Sequence, residues 1–357
     1  MEDRKKTPFF KSYAVALSLI LLLILSCSPE DSSTGPSLPL DPTQVAKPIS
    51  CTVNRLEIRI DPRMELLGIA RNLESYQPYE GSKTSLFWDV RNYFSPHKEH
   101  PAGVMARRCT DTRGDLYSAV ALLLCYDQPP GLERVYTLSA AYLGSPDSND
   151  NLITALRDFY LDSNFITFYE SHRAEYQERV NNNAARFGGE RDIVGFLEEY
   201  FGEQKERYIG IYSSHWGGGE SVVIRHDGKL DCYAVFSNEY VLLHEFAHCF
   251  VNAVTEDFAE EVQAYSQLYV RTYYDTWTSC VNEHLIRAFT SRAYAILDGE
   301  ERGLQKLGGE EREGFQYVRP IYELFKEYEA HRDIYPDFRS FYPRILDLFA
   351  ELLSERQ

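Results

Sequence analysis

One helical motif constrains the fold of this chain more than any other feature. His244, Glu245 and His248 form an HExxH pattern inside the apolar run Tyr240–Val251. Residues four apart lie on one face of an α-helix, so both imidazoles would point to a common centre. A buried helix seldom keeps two histidines and a glutamate unless a partner satisfies them. The alternatives are a surface helix whose polar side chains face water, and a core histidine pair bonded to backbone.

The position of the motif also predicts where its helix begins. Ser237 or Asn238 offers an N-cap just before the run, and Glu245 is the only charged residue between positions 240 and 255. We therefore expect a buried helix that begins near residue 238.

The residue types indicate metal-assisted hydrolysis. Two imidazoles on one rigid helix can bind Zn²⁺ at about 2.0 to 2.1 Å. Glu245 directly follows the first histidine, so its carboxylate would stand beside the metal and accept a proton from a metal-activated water. The motif predicts a zinc cofactor, the metal ligands His244 and His248, and Glu245 as general base in peptide-bond hydrolysis.

The third metal ligand is less well determined by the sequence. A metzincin would have glycine at 251 and histidine at 254, but the chain has Val251 and Val254. Glu283 follows an asparagine at the start of a predicted helix, which resembles the gluzincin arrangement, although 35 residues separate it from His248. We predict Glu283 as the ligand, with Glu260 and Glu261 as alternatives.

Residues near Glu283 suggest supporting roles. Arg287 lies one helical turn further and could orient the Glu283 carboxylate. His284 and Tyr294 are predicted as catalytic residues that donate hydrogen bonds to the oxyanion. The alternative for Glu283 is a surface i,i+4 ion pair with Arg287, which contributes only tenths of a kcal/mol.

The pattern of elements predicts an α+β fold that is mainly helical. Three short β-rich runs, 208–212, 221–225 and 232–236, precede the motif, an order that resembles zincin-type peptidases. We expect a zincin-like catalytic domain with a small mixed or antiparallel sheet followed by the HExxH helix. The loop 213–219 either lines the substrate cleft or is a simple hairpin turn.

Residues 51–205 are predicted as a helical N-terminal part, and residues 206–357 as the metallopeptidase part. The N-terminal part begins with a short strand, Leu56–Ile60, and a helix from Pro62 to Leu73. Further helices are predicted over 85–94, 116–126, 132–143, 152–169, 192–201, 257–274, 280–297, 314–330 and 342–353. Acidic loops are expected at 298–300 and 308–310.

The N-terminus has the composition of an export signal. Four basic residues precede an apolar run, 13–25, that is too short for a stable membrane span, so residues 1–26 read as a signal peptide. Ile24–Cys27 resembles a bacterial lipobox, with an ordinary secretory signal as the alternative. We predict lipidation at Cys27, a flexible tether over 27–50, and a lipid-anchored location in the bacterial cell envelope, at the outer membrane and either periplasmic or surface-facing.

The net charge of the chain limits the classes of molecule that it can bind. The chain carries a formal net charge of −17, which argues against nucleic acid as a partner. We expect a peptide or protein substrate, and membrane contact only through lipidated Cys27.

Six cysteines remain after Cys27, and we hypothesise a Cys249–Cys280 bridge, although spacing alone does not choose among the pairings.

The chain also resembles a known group of proteins. It is similar to an uncharacterised family of bacterial lipoproteins with a predicted zinc metallopeptidase domain of gluzincin-like HExxH type. The resemblance covers about Cys51 to Ala295 and rests on four segments: Asp61–Leu67, Tyr93–Pro101, His244–Asn252 and Asn282–Ala288. It implies the zinc site at His244, Glu245 and His248, suggests Glu283, and implies no substrate.

The sequence thus predicts a lipid-anchored zinc peptidase of gluzincin type. Two alternatives stay open: a non-catalytic surface binding lipoprotein with a structural zinc, and a zinc amidase that acts on cell-wall peptides. A structural site has all positions filled by protein ligands, whereas a catalytic site keeps one for water.

Overall fold

The computed structural model describes most of the chain after residue 38. The described residues are 39–73, 85–110, 113–136, 146–213, 215, 219–226, 228–269, 274 and 276–356. The predicted signal peptide and Cys27 lie outside them. The chain divides into two compact units, Ser37–Ala253 and Val254–Gln357. Among the described residues, no helix combines the length and the apolar character that a membrane crossing requires.

The first unit contains a five-stranded mixed sheet. Its strands are β1 (Ile49–Val53), β2 (Leu56–Ile60), β3 (Arg207–Tyr212), β4 (Glu220–His226) and β5 (Lys229–Phe236), in the order β1-β2-β3-β5-β4. β2 and β3 pair in parallel, as do β3 and β5, whereas β1–β2 and β4–β5 are antiparallel hairpins. The predicted α+β class, mainly helical with a small mixed sheet, is confirmed, and β4 is an edge strand of the sheet.

Helices make up most of the rest of the first unit. They are α1 (Pro62–Arg71), α2 (Ser85–Phe94), α3 (Pro101–Arg108), α4 (Arg113–Leu124), α5 (Pro146–Asp162), α6 (Phe165–Ser171), α7 (Arg173–Ala184), α8 (Ile193–Phe201) and α9 (Glu239–Asp257), which continues past Ala253. α2 has the predicted bounds, and α1, α4 and α8 lie within two or three residues of theirs.

Several helical predictions were incomplete. The helix predicted over 152–169 is two helices, because Asn164 takes a left-handed conformation at φ 49° and interrupts the hydrogen-bond ladder between α5 and α6. Part of the helix predicted over 132–143 lies outside the described residues, and residues 131–136 form a turn and a β-bridge instead. α3 and α7 were not predicted.

A buried ion pair connects β2, α1 and α4. Asp61 is fully buried; its Oδ1 accepts the Arg63 backbone N–H at 3.1 Å as an N-cap, and its Oδ2 accepts from Arg63 Nη2 at 2.7 Å. Arg63 Nη1 in turn donates to the carbonyls of Leu123 at 3.1 Å and Tyr126 at 2.6 Å. The arginine therefore supplies further donors to carbonyl groups at and just after the C-terminal end of α4, where intrahelical donors run out.

Part of the predicted tether belongs to the folded unit. Leu40 N donates to Thr167 Oγ1 at 2.8 Å, Ala46 N donates to the Pro129 carbonyl at 3.1 Å, and β1 already begins at Ile49. The segment 39–50 is thus attached to the folded unit at several points, and the tether prediction applies only to residues 27–38, which lie outside the described part. The predicted boundary at 205/206 falls inside the first unit, because β2 pairs with β3 across it.

The second unit is helical in its described residues. It contains α10 (Ala259–Gln263), α11 (Trp277–Asp298), α12 (Glu300–Arg312), α13 (Val318–Ala330) and α14 (Phe338–Glu355). The predicted helix 257–274 is shorter than expected, since α10 ends at Gln263. The loop predicted at 308–310 was wrong, because α12 runs through it, whereas the loop predicted at 298–300 coincides with the break between α11 and α12 at Gly299. Gly303 lets α12 pack closely on α11, since an added Cβ would lie 2.5 Å from Ala295 Cβ and 2.8 Å from the Ser291 carbonyl oxygen in α11.

Candidate metal centre

α9 presents the HExxH motif because its apolar face is held against the sheet. Asn238 Oδ1 accepts from Val241 N at 3.2 Å and so caps the helix, as the sequence predicted. Phe246 packs edge-on against Tyr208 of β3, and Phe250 stacks on Phe201 of α8 with centroids 4.8 Å apart. These contacts fix the rotation of the helix, and the motif residues lie on another strip of its surface.

The three motif side chains lie close together. One candidate ligand atom from each of His244, Glu245 and His248 lies within 4.8 Å of the others, so these three described residues form a group that could hold a metal ion. The two imidazole centroids are 5.1 Å apart, and Glu245 Oε2 lies 3.9 Å from His248 Nε2. His244 and Glu245 are each 7% exposed. The structure therefore assembles the trio that the motif spacing predicted.

Neighbouring side chains orient the two imidazoles. His248 Nδ1 lies 3.2 Å from Asn252 Oδ1, one turn further along α9. When the amide oxygen accepts this hydrogen bond, Nδ1 carries the proton and Nε2 keeps its lone pair for a metal. The ring of Tyr240 stacks over His244 with centroids 6.2 Å apart. Asn252 was not predicted as a site residue, although its i+4 spacing from His248 is visible in the sequence.

Gly219 brings the start of β4 against the general-base candidate. A Cβ built at Gly219 would lie 2.2 Å from Val241 Cγ1, 2.6 Å from Glu245 Oε1 and 2.7 Å from Glu245 Cγ. Two residues further, Ser221 Oγ lies 3.8 Å from Cys249 Sγ. β4 therefore passes along α9 beside the motif. Within the loop 213–219, Gly219 lies beside Glu245, whereas His215 Nε2 is 3.0 Å from Glu65 Oε2 of α1, and 214 and 216–218 lie outside the described part.

The second unit holds the predicted third ligand in an ionic cluster. Glu283 lies on α11 and is 8% exposed. Its Oε2 is 3.3 Å from Arg287 Nε, and Arg287 Nη1 donates to Glu310 Oε2 at 2.5 Å. Burial and the nearby Glu283 carboxylate raise the pKa of Tyr274 above its ordinary value. The predicted Arg287–Glu283 contact is present, and Glu283 is not a simple surface ion pair.

The alternative carboxylates have a different environment. Glu260 and Glu261 are exposed in the first turn of α10. Carboxylates at that position are stabilised by the positive end of the helix dipole, which explains their presence without a metal.

The geometry of His284 does not favour a role as oxyanion donor. Its Nδ1 donates to the Cys280 carbonyl at 2.7 Å, which leaves Nε2 as an acceptor. Among the residues that the structure describes, this buried Nε2 has no hydrogen-bond partner. Burial lowers the pKa of His284 to about 4, so the ring stays neutral near pH 7. A donor role would need a proton on Nε2, which both features oppose.

The ring of Tyr294, the other predicted oxyanion donor, lies beside a cation of the neighbouring helix. Tyr294 is on α11, and Lys306 Nζ of α12 lies 4.7 Å from its ring centroid.

The predicted cysteine bridge is absent. Cys249 and Cys280 are both free thiols, so the hypothesised bond between them is not formed in this structure.

The donor set fits a divalent metal ion. Neutral imidazoles are ligands for Zn²⁺, Cu²⁺, Fe²⁺ and Ni²⁺, so two histidines with an adjacent carboxylate do not by themselves select zinc. The Asn252 contact at His248 is the kind of hydrogen bond that orients metal-binding histidines elsewhere. His244 and His248 are therefore the side chains that could hold such an ion.

Comparison with known proteins places the chain in one family. The sequence profile described as Domain of unknown function (DUF4932) matches residues 135–348, more than half of the chain. The chain belongs to the DUF4932 family. The matched region of this DUF4932 member contains β3–β5, the whole of α9 and most of the second unit. Neither the curated proteins nor the solved structures contain a match to it.

Proposed function

We propose that this protein is a zinc-dependent peptidase with a zincin-like catalytic fold. The observation that carries the proposal is the grouping of His244, Glu245 and His248 on α9, with their ligand atoms within 4.8 Å. A mixed sheet whose last strand leads directly into the motif helix supports the zincin comparison. His244 and His248 hold the metal, and Glu245 is the general base.

Each side chain has a defined chemical task. Zinc, when bound, supplies a Lewis acid that polarises a carbonyl group and makes water more acidic. Glu245 accepts the proton that water loses on attacking the peptide carbonyl, and passes it to the departing amine. The low exposure of His244 and Glu245 strengthens their electrostatic interactions, because little water screens them.

The position of β4 favours a peptide as the substrate. β4 is one of the two edge strands of the sheet and passes beside Glu245 and Cys249 of α9. An edge strand has unpaired backbone groups that can pair with an extended peptide, so recognition needs few side-chain contacts. The peptide bond to be cleaved would then lie near the motif.

Glu283 remains the proposed third metal ligand, which makes the enzyme gluzincin-like. Two observations support this choice over Glu260 and Glu261. Glu283 is buried and paired with Arg287, whereas both alternatives are exposed. Lipidation at Cys27 and a location in the bacterial cell envelope are part of the same proposal, and rest on the sequence alone.

Metal analysis and peptide cleavage test the proposal together. The full-length protein, Glu245→Gln and the control Glu256→Gln would be analysed for bound zinc and incubated with a peptide library. Glu256 is an exposed glutamate on the same helix. We expect zinc in all three proteins and a loss of cleavage of about 10²- to 10⁴-fold in Glu245→Gln only.

The other outcomes discriminate between the alternatives. Cleavage retained by Glu245→Gln would contradict the general-base assignment. Zinc binding without cleavage by the unmodified protein would indicate a binding protein with a structural zinc. Cleavage restricted to cross-linked cell-wall peptides would indicate an amidase.

A further inference from the structure

At Gly219 the backbone just before β4 comes close to the Glu245 side chain. Gly219 directly precedes β4, whose first residue, Glu220, pairs with Val235 near the end of β5. β5 ends at Phe236, and α9 begins three residues later at Glu239. This short connection explains why the start of β4 lies against the first two turns of α9.

The contact leaves no room for a side chain at position 219. A Cβ there would lie 2.6 Å from Glu245 Oε1 and 2.7 Å from Glu245 Cγ, well inside normal van der Waals separation. It would also lie 2.2 Å from Val241 Cγ1. Gly219 is joined directly to the paired residue Glu220, which restrains its backbone, whereas the Glu245 side chain can rotate. A side chain at 219 would therefore displace the Glu245 carboxylate.

We infer that Gly219 is a positioning residue that keeps the Glu245 carboxylate beside His248, and that its missing side chain is required for general-base catalysis. The inference rests on the proposed function. It does not extend to metal binding, because the three atoms nearest to a Cβ at position 219 belong to Val241 and Glu245. A substitution at 219 should therefore separate zinc binding from hydrolysis.

The test compares Gly219→Ala with Gly189→Ala in the full-length protein. Gly189 is a matched control, because the one described atom that a Cβ there would meet is Val53 Cγ1, at an ordinary 3.6 Å. We expect both variants to keep the zinc content of the unmodified protein. Hydrolysis should fall about 10²- to 10⁴-fold in Gly219→Ala, the range for loss of a general base, and stay unchanged in Gly189→Ala.

A double variant separates positioning from general damage to the fold. If Gly219→Ala acts only through Glu245, adding it to Glu245→Gln should cause no further loss, because residues that act as one unit are not additive. A further loss in the double variant overturns the inference. If Gly219→Ala does not fold, the variant Gly219→Ala/Val241→Ala takes its place. It removes the 2.2 Å contact with Val241 Cγ1 and keeps the contacts with Glu245. It should lose hydrolysis, whereas Val241→Ala alone should not.

Carboxyl labelling provides a readout that does not depend on activity. The Glu245 side chain is 10% exposed, so a water-soluble carbodiimide should modify it slowly. We expect peptide mapping to show faster modification of Glu245 in Gly219→Ala than in Gly189→Ala, with other carboxylates unchanged. Equal rates overturn the inference. If the unmodified protein neither binds zinc nor cleaves peptides, the proposed function fails, while the labelling rates still decide whether Gly219 positions Glu245.

Discussion

Replacing Asp61 with asparagine should destabilise the first unit strongly. Asp61 is fully buried, and Arg63 is 6% exposed. The two carboxylate oxygens accept from Arg63 Nε at 2.9 Å and Nη2 at 2.7 Å, and Oδ2 lies 3.3 Å from Arg59 Nη2. The substitution removes the negative charge and leaves the Arg63 guanidinium buried without its counterion.

The structure gives the size of the effect. Removing one partner of a buried ion pair costs about 3 to 5 kcal/mol. Asparagine is as good an N-cap as aspartate, so the contact with the Arg63 backbone N–H should survive. Asp61→Ala loses that cap as well and should be about 1 kcal/mol less stable than Asp61→Asn. The loss is large compared with the roughly 5 to 15 kcal/mol of a typical domain.

The same ion pair predicts how stability depends on pH. The Arg63 and Arg59 guanidinium groups outweigh the effect of burial and hold the pKa of Asp61 well below its ordinary value. Its stabilisation is therefore complete above the unfolded pKa of about 3.9 and is lost as pH falls below it towards the folded pKa. Asp61→Asn should remove this part of the acid dependence.

Urea unfolding at pH 7 and at acid pH measures both effects. Glu57→Gln is the control, because Glu57 pairs with Arg59 and Arg207 but its side chain is 22% exposed, so its loss should cost less than about 1 kcal/mol. A midpoint shift for Asp61→Asn no larger than that of the control, at unchanged slope, would show that the buried pair contributes little and that the reasoning is wrong.

Three further predictions concern the proposed site and anchor. Asn252→Ala should weaken zinc binding about 10- to 100-fold, because His248 Nδ1 loses its acceptor, while Asn252→Asp should retain affinity; equal affinities would contradict this role. Glu283→Gln should weaken zinc binding in competition with a chelator, whereas the exposed control Glu260→Gln should not, and the reverse result would reassign the ligand. Cys27→Ser should move the protein from the membrane to the soluble fraction of bacterial cells, and unchanged membrane association would exclude lipidation as the anchor.

Short-range sequence patterns were enough to predict several helices and strands. The bounds of α2 were predicted exactly, and β2–β5 follow the β-rich runs closely, because alternation and turn residues fix such segments over short distances. The motif trio was also predictable, since i and i+4 positions on a helix must share a face.

Features that depend on distant contacts were not predictable. α12 looked like loop because of Gly308 and Gly309, but packing against α11 overrides the low helix propensity of glycine. The parallel pairing of β2 with β3 joins segments about 150 residues apart, and no local pattern encodes it. For the same reason Gly219 looked like one of several loop glycines, and only its contact with Glu245 distinguishes it.

The attachment of residues 39–50 to the folded unit limits the distance between that unit and its proposed lipid anchor. Leu40 is already hydrogen-bonded to Thr167, so the connecting segment extends at most from Cys27 to Leu40. Fully extended at about 3.3 to 3.6 Å per residue, this segment would span about 45 Å. If Cys27 carries lipid, Leu40 can therefore lie no more than about 45 Å from the bilayer surface.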